Sequence, residues 1–467
     1  MLTYNFEKNG GTSLYEQLYQ NIKRDILAGK LAPDEKLPSK RMLAEHLKLS
    51  VVTVKNAYEQ LIAEGYLYSR EKRGYYVTPI EKPLTAVVQP MAAETPQETD
   101  WFLDFATNST AAEYFPFTIW AKLMRRTILE QDTGLLRSIP TTGATELRQA
   151  IADYLRQERG MIVTSEQIIV GAGTEWMYHL LVQLLGREKC YAVEEPGYSK
   201  IARIYENNGV DLQYIGLDDS GLSAKELAKS GADVVHISPS HHYPTGIVMP
   251  ISRRQELLRW AAEKPGRYIL EDEYDSEFRF TGHPIPTMYA EDKNQCVIYL
   301  NTFSKTIAPS IRISYMILPV SLLEEYRGRL GFYACTVSGF EQYTLAQFLT
   351  QGSYEQHLNR MRKRYRQKRD AVIVCIETGA LKGRATIMER GAGLHFLVQL
   401  KTEMPDGELR EKAAQQGLRL ALLSDYYENR KKAPAHVWVV NYSGLALERL
   451  PEALERLAKI LEENDHV

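Results

Sequence analysis

Apolar residues recur every fourth position at Leu14, Leu18, Ile22 and Ile26, a stripe that predicts an amphipathic helix over Ser13 to Ala28, ended by Gly29. A turn-rich connector, Lys30 to Pro38, follows. Ser39 then stands where a cap would open a helix containing Leu43, Ala44 and Leu47, and Ser50 where another would open, running from Val51 to about Glu64. Two short helices joined by a tight Leu-Ser turn form a helix-turn-helix, whose second helix is shaped for the major groove of DNA. After Gly65, Tyr66 to Val77 reads as two short strands around a basic tip. Arg70, Lys72 and Arg73 on that wing are suited to phosphates.

The pattern changes beyond residue 78. Residues 79 to 100 contain four prolines and neither a helical nor a strand period, the signature of a semi-extended linker. From Trp101 onward, helical stretches such as Glu146–Glu158 and Thr174–Leu185 alternate with short β-branched runs at Ile168, Tyr191, Val234, Tyr268 and Val297. Such runs are buried strands of a mostly parallel sheet, and their alternation with helices predicts a doubly wound α/β domain. An α+β part from about residue 355 completes the chain. The expected organisation is 1–78, 79–100 and 101–467.

Composition adds little and charge adds one point. Hydrophobic content of 44% and charged content of 25% are ordinary for a water-soluble globular protein of 467 residues, long enough for two or three domains. The net charge of −2 conceals an asymmetry, because residues 1 to 78 hold 12 Lys and Arg against 9 Asp and Glu. Cys190, Cys296, Cys335 and Cys375 are scattered without Cys-x-x-Cys spacing, so reduced core thiols are expected and no metal site. No signal pattern opens the chain and no apolar run approaches a membrane span, which points to the cytoplasm.

The chemistry gathers at strand ends, where ligands of such sheets bind. Gly171-Ala-Gly-Thr-Glu follows one strand and opens a helix, offering free N–H groups and the Thr174 hydroxyl to an anion. Glu195-Pro-Gly-Tyr198 supplies an aromatic plane, and Ser238-Pro-Ser-His-His-Tyr-Pro-Thr-Gly a polar turn able to line a ring edge. Asp272 ends a fourth strand, and Thr302, Ser304 and Lys305 end a fifth. A lysine amine able to form a Schiff base, with a carboxylate to keep a pyridine nitrogen protonated, meets the two main needs of pyridoxal phosphate (PLP).

Residues 12 to 78 resemble the winged helix of GntR-type regulators, through Leu-Pro-Ser-Lys-Arg-Met-Leu-Ala, Thr-Val-Lys-Asn-Ala-Tyr-Glu-Gln-Leu and Glu-Gly-Tyr-Leu. Residues 101 to about 460 resemble a fold-type I aminotransferase, and the whole chain the MocR (GabR-like) subfamily of GntR regulators. The carrying motifs are Ser-His-His-Tyr-Pro-Thr-Gly, Glu-Asp-Glu-Tyr-Asp-Ser-Glu-Phe-Arg and Thr-Phe-Ser-Lys-Thr-Ile-Ala-Pro-Ser-Ile-Arg. The resemblance implies an α+β winged helix-turn-helix joined to an α/β PLP-dependent aminotransferase-like domain with a mostly parallel central sheet.

Residue by residue, the resemblance implies Lys305 as the aldimine lysine, Asp272 on the pyridine nitrogen and Tyr274 on the ring hydroxyl. It implies Thr174, Thr302 and Arg312 on the phosphate with the Gly173 and Glu175 backbone, and Tyr198 stacked on the ring. Ser39, Arg41, Thr53 and Lys55 are the candidate DNA contacts beside the wing, since Val51-Val52 replaces the family's arginine after the capping serine. Lys200, Glu273 and Ser314 also depart from the subfamily's usual arginine, aspartate and glycine. The second, C-terminal carboxylate-binding arginine of aminotransferases has no secure match: Arg419 is one possibility, and Val439 to Gly444 contains no arginine. The expected protein is a PLP-dependent regulator that binds double-stranded operator DNA as a domain-swapped homodimer. It would sense a small amine, an amino acid or PLP itself through an aldimine at Lys305. An active aminotransferase is the alternative.

Overall fold

The computed structural model describes residues 2–6, 12–80, 100–108, 110–280, 285–388 and 393–462, and most of the expected linker lies outside them. The chain divides into two units, Met1–Gln97 and Glu98–Val467.

In the first unit, α1 (Leu14–Leu27), α2 (Lys40–Leu47) and α3 (Val51–Ala63) precede an antiparallel wing of β1 (Leu67–Arg70) and β2 (Gly74–Val77). The α1 stripe buries Leu18, Ile22 and Ile26, whereas Leu14, in the first turn, remains 38% exposed. Both serine caps are made. Ser39 Oγ accepts from the Met42 N–H at 3.3 Å and Ser50 Oγ from the Thr53 N–H at 3.0 Å, each worth about 1 kcal/mol of helix stability. Tyr58 is fully buried beneath the connector and donates to the Pro38 carbonyl at 3.0 Å, which ties the entrance of α2 to α3.

The second unit opens with β3 (Leu103–Asp104) and is built on eight strands: β4 (Ile168–Gly171), β5 (Cys190–Glu195), β6 (Asp211–Asp218), β7 (Gly221–Leu222), β8 (Val234–Ile237), β9 (Tyr268–Glu273), β10 (Val297–Thr302) and β11 (Ser314–Ile317). Their order is β4-β11-β10-β9-β8-β5-β6-β7. β5, β6, β8, β9 and β10 run parallel, while β11 is antiparallel to both β10 and β4. Every residue of β4, β8, β10 and β11 is buried, as continuous apolar runs covered on both faces require.

The reversed strand positions the site. Ser314 opens β11 opposite Thr302, the last residue of β10, and opposite Gly171, the last of β4. Arg312, just before it, therefore sits at the end of the sheet where the parallel strands terminate. The final part begins with the long helix Ser353–Thr378 and contains β12 (Ala385–Ile387), β13 (His395–Leu400), β14 (Leu418–Arg419), β15 (Ala421–Leu422) and β16 (Val437–Asn441). A sheet ordered β12-β13-β16-β15 and the helix Leu450–Glu462 share a core around Trp438, Phe396 and Leu457. β14 pairs instead with β3. All four cysteines are free thiols; Cys296 is buried, and Cys190, Cys335 and Cys375 are partly buried against the hydrophobic cores. Among the described residues no helix is long and apolar enough to cross a membrane.

Candidate functional site

At the carboxyl ends of the parallel strands lies a cavity of about 850 Å³, lined by residues from Ala106 to Arg430. Asp272, on β9, is 5% exposed. Its Oδ2 accepts from the Tyr178 hydroxyl at 2.5 Å and lies 3.3 Å from His236 Nε2. Its Oδ1 is buried and has no partner. Burial, then the adjacent carboxylate, holds the Tyr178 proton in place well above the usual phenol range. Glu194 shares this wall, and burial pushes its carboxyl up to about 8.

Lys305 follows β10 on the same wall. Its ammonium donates to the Asn108 carbonyl, and Thr110 Oγ1 donates to the Lys305 carbonyl at 3.0 Å, so the N-terminal strap of the unit holds the lysine turn. Burial pushes the amine down to about 8, a shift partly opposed by Asp275. Ser304, immediately before it, has a buried hydroxyl without a partner.

The anion cradle is formed by Gly173, Thr174 and Arg312. Gly173 caps the helix Thr174–Leu185 with φ of 90°, and a Cβ built there would lie 2.2 Å from Arg312 Nη2. Only glycine lets the guanidinium approach the helix N-terminus. Thr302 Oγ1 accepts from Ser314 Oγ at 2.9 Å and from the Ser304 N–H at 3.1 Å. The serine at 314 thus supplies a bond to Thr302, which lines the cavity beside the cradle. Glu175 binds Lys200 through its side chain, and its carboxylate lies 3.9 Å from Arg312. Tyr198 is half-exposed at the mouth, edge-on to Tyr243. Tyr274 lines the cavity, but its hydroxyl lies 3.1 Å from His241 Nδ1, a neighbour that sequence reading did not assign to it.

The donor set fits PLP. The partnerless Asp272 oxygen offers an acceptor for a protonated ring nitrogen, and the glycine-cleared helix N-terminus with Arg312 offers a cradle for a phosphate.

Arg419 is a correction. Its register opposite Asp104 directs it to that carboxylate, at 3.2 Å, and to Thr107 Oγ1 at 3.1 Å; Thr107 lines the cavity and Arg419 does not. Arg430 reaches the lining instead. Its segment is fastened by Glu195 Oε1, which accepts from the Glu428 and Asn429 N–H groups at 3.1 and 3.3 Å, and by the paired hydroxyls of Tyr243 and Tyr426 at 2.7 Å. Tyr178, His236, Asn108 and Glu194 were likewise not picked out from the sequence. Tyr178 falls one turn after Thr174, the one regular signal among them. Among the described residues one group, His241, Asp275 and His395, has spacing that could hold a cation.

On the first unit, Arg41, Lys55, Lys72 and Arg73 are exposed. Lys55 has Glu59 one turn along at 3.7 Å. Thr53 Oγ1 lies 2.8 Å from Ser50 Oγ, so that hydroxyl and Ser39's both serve helix starts. Arg70 folds over Tyr68 and Tyr76, its guanidinium 5.3 and 5.0 Å from the two ring centres, which stiffens the wing.

A winged helix preceding a fold-type I aminotransferase architecture with a PLP site defines a class, and comparison with known proteins agrees. The model described as "Bacterial regulatory proteins, gntR family" matches residues 14–77, and that described as "Aminotransferase class I and II" matches residues 102–419. The chain belongs to the MocR-type branch of the GntR family of bacterial transcription regulators, which carry an aminotransferase-like domain. It is 36% identical to the "Uncharacterized HTH-type transcriptional regulator YdeL" of Bacillus subtilis, over 95% of this chain and 96% of that one. It is 30% identical to the "Probable rhizopine catabolism regulatory protein MocR" of Rhizobium meliloti, over 97% of this chain and 94% of that one. Among solved structures, a kynurenine aminotransferase of Pyrococcus horikoshii superposes with a TM-score of 0.69 at 24% identity, over 78% of this chain and 92% of that one.

Proposed function

We propose that this protein is a PLP-dependent transcription regulator whose large unit senses a small amine, an amino acid or PLP itself. The observation that carries the reading is the coexistence of Lys305 and the half-partnered Asp272 in one cavity, in a chain that opens with a winged helix. When bound, PLP supplies an aldehyde reactive toward amines and an electron-withdrawing ring.

The chain's own residues have the following roles. Lys305, with its amine at about 8, is the attachment point and nucleophile. Asp272, oriented by Tyr178 and His236, holds a ring-nitrogen proton; Tyr274 donates to the ring hydroxyl and Tyr198 covers the ring face. The N–H groups following Gly173, the hydroxyls of Thr174 and Thr302, and Arg312 hold the phosphate. Ser304 adds a hydroxyl to the Lys305 turn.

On DNA, α3 with Thr53 and Lys55 enters the groove, Ser39 and Arg41 flank it, and Arg70, Lys72 and Arg73 bind phosphates. The 79–100 segment links the two functions, and a domain-swapped homodimer presents two such readers to repeated or palindromic half-sites. An effector regulates by binding two arrangements of this dimer unequally.

The test is the visible spectrum of the PLP-loaded protein during single additions of amines, amino acids and dipeptides, with operator binding followed in parallel. A lasting spectral shift that alters operator binding supports the sensor. Progressive conversion to the pyridoxamine form, reversed by a keto acid, would make the protein an aminotransferase instead.

A further inference from the structure

Behind Tyr274 lies a buried arrangement that the coenzyme contacts do not use. His241 Nδ1 is 3.1 Å from the Tyr274 hydroxyl and 3.2 and 3.1 Å from the two oxygens of Asp275. His241 and Asp275 are 4% and 2% exposed. Asp275 is itself fixed by the Leu394 N–H, at 3.3 Å. The imidazole lies against the Gly393 backbone, where a Cβ would fall 1.8 Å from His241 Cε1, so only glycine there admits the ring.

One nitrogen facing both a carboxylate and a hydroxyl has one sensible protonation. Carboxylate oxygens accept, so the contact with both Asp275 oxygens assigns a proton to Nδ1 on that side. Protonated there, Nδ1 cannot accept from Tyr274; the phenol oxygen is a second acceptor on the same N–H. The Tyr274 proton is then left for a partner elsewhere, and this side chain lines the cavity, where Tyr243 and Asp272 also lie. Burial, then the Asp275 charge, keeps that proton on the phenol well above its usual range, so Tyr274 remains a donor at neutral pH.

We propose that Asp275 and His241 form a positioning pair that makes Tyr274 donate into the coenzyme cavity rather than back into the protein. This rests on the reading of the cavity as a PLP site. The same cluster, with His395, has spacing for a cation, but the Lys305 ammonium already acts on both Asp275 and His395, and a second positive centre there is disfavoured. Asp275 also touches the site directly as a charge, since it favours the protonated form of Lys305. The two roles have opposite signs, and that makes the proposal testable.

The experiment is the pH midpoint of the visible band of the full-length, PLP-loaded protein. Loss of a donor makes a coenzyme oxygen more basic, so Tyr274→Phe raises the midpoint, by about one pH unit or a tenfold change. If Asp275 acts through Tyr274, Asp275→Asn also raises it, Asp275→Glu restores it toward wild type, and Asp275→Asn produces no further rise in a Tyr274→Phe background. If Asp275 acts only as a charge on Lys305, Asp275→Asn lowers the midpoint, and the proposal is overturned; an unchanged midpoint overturns it too. Should Asp275→Asn not fold, His241→Leu, which removes the N–H, is read in the same way. A wild-type protein that shows no visible band with PLP would instead refute the coenzyme reading, and this inference with it.

Discussion

Tyr178 donates to one oxygen of Asp272 at 2.5 Å while the other oxygen of the same carboxylate has no partner. The tyrosine comes from the first turns of the helix at Thr174, so the group that orients the acid shares an element with the anion cradle. A carboxylate fixed on one side and open on the other is pre-set for a single further donor.

That asymmetry predicts graded losses. Tyr178→Phe removes one bond to a charged group, about 1.5–3 kcal/mol, and weakens PLP binding about 10- to 100-fold. Asp272→Ala removes the acceptor itself and weakens it further. Equilibrium titration of the visible band checks the order; equal losses for both would deny Tyr178 an orienting role.

The cradle predicts a dependence on the phosphate. Gly173→Ala places a methyl on the Arg312 guanidinium at a backbone angle unfavourable to alanine. Gly173→Ala and Arg312→Ala should each weaken PLP by tens of fold and barely affect pyridoxal, which lacks the phosphate. Parallel titrations with the two aldehydes decide this. Equal weakening of both would place the defect outside the phosphate site.

Lys305 predicts a pH profile for coenzyme capture. With the amine at about 8, the rate of PLP attachment to the apoprotein should rise with pH through about 8 and level off above it. Stability has the same sign. The folded-state value lies below the unfolded one near 10.5, so the folded form binds fewer protons across the window between them. Apoprotein stability therefore gains from this group as pH rises from about 8 toward 10.5, and the gain is absent below. Lys305→Met should abolish both the capture profile and that increment in denaturant titrations.

On the DNA side, Arg70→Ala with Arg73→Ala should weaken operator binding and reduce the slope of log K against log salt by about 1.8, as expected for two lost phosphate contacts. Fluorescence anisotropy at several salt concentrations measures it. A weaker affinity with an unchanged slope would assign these residues to wing stability, in which Arg70 takes part through Tyr68 and Tyr76.

Local signals were readable in the sequence because local physics creates them. Ser39 and Ser50 mark helix starts through their own hydroxyls, and the apolar runs at Ile168, Val234 and Val297 are strands because parallel sheets bury both faces. The motif residues Thr174, Asp272, Thr302 and Lys305 converge because each ends or follows a strand of one sheet. What the sequence hid depends on pairing at a distance. Asn108 and His236 carry no periodic signal, and their importance comes from the atoms they face. Arg419 looked available until its register opposite Asp104 was known. The hydroxyl at 314 looked like a departure from a usual glycine, yet it donates across the strand pair to Thr302.

β11 has a consequence for the newborn chain. The strand between β4 and β10 is the latest of the three to be made, and it runs against both. Until it is inserted, Gly171 and Thr302 have no common neighbour, and the cavity still lacks its Tyr426–Arg430 rim. The cradle is therefore joined only once β11 lies between its two neighbours, so any coenzyme capture that depends on it would wait for a nearly finished domain.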